Sequence, residues 1–78
     1  MDMYEFVWEN EDNAEVTVCI DYQILEPEPG YQQEIEIHGI QVHVDGMGWT
    51  MADPGMEDKI ANYVYTNLQE SMLEEAQR

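Results

Sequence analysis

Hydrophobic and polar residues alternate through most of residues 3–44, and a four-residue hydrophobic repeat follows. Tyr4, Phe6 and Trp8 fall on one side of an alternating segment, with Glu5, Val7 and Glu9 on the other. This period of two predicts a half-buried strand over 3–9. Asn10-Glu11-Asp12-Asn13 breaks it with four turn-favouring residues, which predicts a hairpin connection. Ala14, Val16, Val18, Ile20, Tyr22 and Ile24 then share one face, and Glu15, Thr17, Cys19, Asp21 and Gln23 the other. The pattern predicts a long strand over 14–25, central in the sheet, with one wet face. Glu26-Pro27-Glu28-Pro29-Gly30 reads as a turn, because proline donates no N–H to a sheet.

Residues 33–44 alternate with one change of phase. Ile35 and Ile37 sit on odd positions, and Ile40, Val42 and Val44 on even ones. One extra residue at His38-Gly39 restores a single apolar face and predicts a β-bulge. Glu34, Glu36, Gln41 and His43 then share the wet face. Residues 45–52, rich in glycine and methionine, read as a loop. Asp53-Pro54 reads as a helix N-cap followed by proline in the first turn. Met56, Ile60, Val64, Leu68 and Met72, widened by Ala61 and Tyr65, predict an amphipathic helix of about five turns. Glu70, Glu74 and Glu75 lie toward its C-terminus, where the helix dipole disfavours them, so its last turn is expected to fray. Residues 1–78 are therefore expected to form a single small α+β domain. Its three-stranded antiparallel sheet (β-β-β-α) carries one C-terminal helix packed on one face. The other face and the sheet edges are left wet, charged or paired, and a homodimer is one way to cover them.

Charge changes this picture. Eighteen residues are Asp or Glu, two are Lys or Arg, and the formal net charge is −16. Such a chain repels nucleic acid and anionic membranes and attracts basic surfaces. Its 44% hydrophobic content, with two Trp, five Tyr and one Phe, separates it from acidic disordered tails. Cys19 is the one cysteine, so no internal disulfide forms, which fits a reducing compartment. No run of about 18 apolar residues is present to span a membrane. The N-terminus is acidic where a signal peptide needs positive charge. The expected location is the cytoplasm.

The carboxylates are spread over every element. Side chains two apart on a strand stand about 7 Å apart on one face. Glu34 and Glu36 are so spaced. Glu15 and Asp21 fall on the neighbouring strand, and Glu5 and Glu9 extend the row if the first strand pairs with the second. A fixed array of this kind resembles a phosphate backbone in charge density. The competing reading is a solvated surface, but small domains commonly carry a net charge of only about 2–8. Catalytic and metal chemistry find little footing. Cys19, His38 and His43 lack the short paired spacing of zinc ligands. A thiol in this negative field is a poor nucleophile. Asp45-Gly46-Met47-Gly48 lacks the ligand spacing of a calcium loop. No enzyme activity, cofactor or metal is expected. Trp8, Trp49 and Tyr63 are candidates for an apolar interface if exposed.

Val16-Thr17-Val18-Cys19-Ile20-Asp21-Tyr22, the turn Glu26 to Tyr31, and Glu34-Ile35-Glu36-Ile37 resemble a group of short acidic phage proteins. Those carry a V-x-V-x-x-D-Y strand, an acidic proline-rich turn, a further strand and an acidic C-terminal helix. The resemblance covers roughly residues 14–75 and implies a phage origin rather than an activity. In bulk character the chain is similar to phage DNA-mimic inhibitors, although no residue set maps onto them. The expected function is inhibition in the bacterial cytoplasm. The acidic face would occupy the cationic site of a basic host nucleic-acid-binding protein, with no direct binding of nucleic acid or membrane by the chain itself. The alternative is a small structural or accessory protein that self-associates, its acidity serving solubility.

Overall fold

The computed structural model describes residues 2–76. Four strands, β1 (Asp2–Glu9), β2 (Glu15–Ile24), β3 (Ile35–Val44) and β4 (Gly48–Met51), form an antiparallel meander in sequence order. A C-terminal helix follows and packs on one face, giving an α+β fold with β2 inside the sheet.

Two of the turns use the residues that such turns require. Asn10 Oδ1 accepts from the N–H groups of Asp12 and Ala14, both at 3.0 Å, and Asn13 takes a left-handed φ of 60°, a conformation that asparagine tolerates. In the β2–β3 connection, Tyr31 N–H donates to the Glu28 carbonyl at 3.0 Å. Pro29 and Gly30 are the central residues of this turn, and the φ of +87° at Gly30 is the value that selects glycine there.

The bulge lies where the phase change places it. Asp21 pairs with Gly39 and Tyr22 with Ile37, so His38 has no partner on β2. The alternation on either side therefore reaches one core. Trp8, Val18, Ile20, Tyr22, Ile35, Ile40 and Val42 are buried against Ile60, Val64 and Met72 of the helix.

The sheet has four strands, not three. Residues 45–52 hold β4, which pairs with β3 from Gln41↔Met51 to Val44↔Gly48. Met47 N–H donates to the Val44 carbonyl at 3.0 Å and closes the hairpin. A strand of four residues that begins on a left-handed glycine (Gly48, φ +76°) is too short to display a period of two, so its pattern reads as a loop.

The helix begins as its sequence requires. Asp53 caps it, its Oδ1 accepting from Met56 N–H at 2.9 Å, and Pro54 opens it. It runs as α1 (Pro54–Tyr63), one π-helical turn (Val64–Leu68) and α2 (Gln69–Ala76), staying helical through Glu74 and Glu75. The π turn explains the strict four-residue repeat. On a regular helix each four-residue step overshoots a turn by about 40°, so Met72 would sit about 160° from Met56. In the π turn, Gln69 N–H bonds the Val64 carbonyl five residues back. The wider turn takes up part of that drift, and Ile60, Val64 and Met72 are all buried.

The same segment closes one sheet edge. Leu25 N–H donates to the Glu34 carbonyl at 2.9 Å, which sets the ladder phase and turns the Ile35 and Ile37 N–H groups away from β2. β4 is too short to reach them. Gln69 Oε1 accepts from Ile35 N–H at 3.1 Å, and the Tyr65 hydroxyl accepts from Ile37 N–H at 3.4 Å.

Asp53→Ala removes the cap and is expected to lower stability by about 1 kcal/mol, whereas Asp53→Asn retains most of it. Urea unfolding followed by circular dichroism measures both.

Candidate functional site

With the helix on one face, strand register assigns the other. Across β1 and β2 it pairs Met3 with Asp21, Glu5 with Cys19, Val7 with Thr17 and Glu9 with Glu15. On β3, Glu36 lies opposite Gln23 and Gln41 opposite Cys19. On β4, Met51 lies opposite Gln41 and Trp49 opposite His43. Five of the six acids singled out in the sequence, Glu5, Glu9, Glu15, Asp21 and Glu36, therefore share this open face. The sixth, Glu34, immediately precedes β3 and is exposed. Neighbouring strands are about 4.8 Å apart and same-face residues on one strand about 7 Å apart, which fixes the spacing of these groups.

Among the described residues the face contains no Lys or Arg. Lys59, the one such residue among those described, pairs with Glu11 and ties the β1–β2 turn to α1. This contact holds the Glu11 carboxyl below its usual pKa, first through the hydrogen bond and then through the charge of Lys59. Arg78, the other cation, lies outside the described residues. His38 brings Nε2 to 3.3 Å from Glu36 Oε1. Glu9 and Glu15 oppose each other directly, a like-charge pair that destabilises the hairpin.

The apolar candidates separate. Trp8 is buried at 8% exposure, because it lies in phase with Tyr4 and Phe6 on the helix side, so it is withdrawn as an interface residue. Trp49 is exposed, with His43 edge-on at 5.3 Å. Tyr63 is half-buried and stacks on Phe6 at 6.0 Å. Sequence reasoning missed Met3 and Val7, both exposed on the open face, where Met51 is exposed as well. Val7 carried the signal for this, since it sits in phase with Glu5 and Glu9.

Among the described residues no group of three or more His, Cys, Asp or Glu is placed to hold a metal ion. The Cys19 thiol is pushed up in pKa by burial first, then by Asp21 and Glu5, so it resists forming the thiolate nucleophile. No described helix is long and apolar enough to cross a membrane.

Comparison with known proteins adds no relative. No family model, curated protein or solved structure matches the chain.

Replacing Glu15 with Lys turns a like-charge pair into an opposite-charge pair. It is expected to stabilise the hairpin by roughly 0.2–1 kcal/mol, read from the urea midpoint. The raised Cys19 pKa means that folding disfavours the thiolate. That contribution to stability is whole below the ordinary thiol pKa and fades as pH rises through the shifted value. Reaction with a chromogenic disulfide near neutral pH is expected to be slower for the native protein than for the urea-unfolded chain.

Proposed function

We propose that this chain is an acidic binding protein of phage origin. It acts in the bacterial cytoplasm and blocks a basic host protein by occupying its nucleic-acid-binding site. The observation that carries this reading is the open sheet face. Glu5, Glu9, Glu15, Asp21 and Glu36 stand on one ordered surface with no lysine or arginine among them. Such an array offers a cationic cleft fixed negative charges, as a phosphate backbone does, without the same condensed counterion layer. The opposed Glu9 and Glu15 support the reading further. A chain that needed charge only for solubility gains nothing by placing two carboxylates against each other.

A self-associating accessory protein is the second reading. It is favoured by Met3, Val7, Trp49 and Met51, which are exposed on that same face. The charge weighs against it, because a copy laid face to face brings acid against acid.

Retention of host proteins on the immobilised chain, with salt elution, separates the two readings. The first expects a basic nucleic-acid-binding protein that elutes as salt rises and loses DNA when the free chain is added. Glu15→Lys combined with Glu36→Lys is expected to weaken that retention while the fold persists. A stable homo-oligomer in light scattering, unaffected by these substitutions and with no salt-sensitive partner, would replace it with the second.

A further inference from the structure

The two margins of the sheet are treated differently. At the β3 side, β4 covers Gln41–Val44, Ala52 N–H donates to the Ile40 carbonyl at 3.1 Å, and Tyr65 and Gln69 meet the remaining N–H groups of Ile37 and Ile35. At the β1 side nothing comparable occurs. Asn10 N–H donates to the Ala14 carbonyl at 3.0 Å, which sets the phase of the β1–β2 ladder. Residues of even number then bond β2, and Met3, Glu5, Val7 and Glu9 direct their N–H and C=O groups outward. Among the described residues, no other element hydrogen-bonds to them. β1 is eight residues long, a length at which an open margin invites another strand.

The two flanks of this margin differ in chemistry. On the helix side Tyr4 and Phe6 lie 6.0 Å apart, and Phe6 stacks on Tyr63 at 6.0 Å, all three half-buried. They form an aromatic shelf along the strand. On the open side Glu5 and Glu9 alternate with Met3 and Val7. An incoming strand sends successive side chains to opposite flanks, so one set meets aromatic rings and the other meets carboxylates.

We propose that the outer edge of β1 pairs with an extended cationic strand of a partner protein, apolar residues on the Tyr4–Phe6–Tyr63 shelf and Lys or Arg against Glu5 and Glu9. This rests on the reading of the chain as a binder of basic protein and adds the mode of contact. Charge selects the occupant. A second copy brings another net charge of −16 to the same edge, whereas a cationic strand is attracted to it. The acids exclude self-pairing and admit the partner, so one device serves both ends. Backbone hydrogen bonds supply affinity, and the alternating side chains supply specificity.

The test uses the full chain and three synthetic probes: an octapeptide of alternating lysine and valine, the same peptide N-methylated at alternate residues, and an octapeptide of alternating lysine and glycine. The Lys–Val peptide is expected to bind at least about tenfold more tightly than either control. Amide shifts should centre on Met3, Glu5, Val7 and Glu9. Val7→Pro removes an outward N–H that β2 does not use, a position where an edge strand accepts proline. It should lower binding of the Lys–Val peptide to the level of the Lys–Gly peptide. If that variant fails to fold by circular dichroism, the N-methylated peptide on the native protein carries the test. Equal binding of all three peptides overturns strand pairing and leaves the charge-based reading standing. Absence of binding by any of them overturns both. A dimer of the native chain that Val7→Pro dissolves assigns the edge to a second copy and overturns the cationic partner.

Discussion

The seating of a single helix on a single side of the sheet is the contact from which the other features follow. Ile60, Val64 and Met72 reach Val18, Ile20, Ile40 and Val42, and among the described residues no second helix covers the reverse. A half-covered sheet must keep its exposed side polar or lose its solubility. The alternation of β1 to β3 does this, sending the large apolar residues inward and the acids outward with few exceptions. The bulge at His38 matters for the same reason. Without its extra residue the second half of β3 would present Ile40 and Val42 to water and Gln41 to the core.

Electrostatics works against this scaffold. Sixteen excess negative charges repel one another in the compact state, and the one described lysine is engaged with Glu11. The chain keeps directly opposed carboxylates on its hairpin instead of relieving them. The open face therefore carries charge that works against folding, and its acidity is the feature that separates this domain from an ordinary two-layer α+β unit.

Much of this was legible in the sequence, because alternation is a direct record of which face a residue takes. The turns at Asn10–Asn13 and Glu26–Gly30, the bulge, the Asp53 cap and the shared face of the acids all follow from spacing and local chemistry. β4 did not, since a four-residue strand beginning at a left-handed glycine leaves no periodic trace. The burial of Trp8 was implied by its phase with Tyr4 and Phe6. The placement of Gln69 and Tyr65 against β3 was hidden for another reason. It joins residues 34 and 28 positions apart, and no local pattern encodes a contact of that range.

The π turn carries one more implication. It sets the rotation of everything after Leu68, including the side chain that reaches Ile35. Loss of one residue from a regular turn of α1 would swing Gln69 by about 100° about the helix axis, whereas loss of one inside the wide turn restores ordinary winding and leaves Gln69 close to its present direction. An irregularity inside the helix thereby governs closure of a strand some thirty positions earlier. The wide turn is thus the one stretch of this helix ahead of Gln69 where a single-codon deletion would leave the contact with Ile35 in phase.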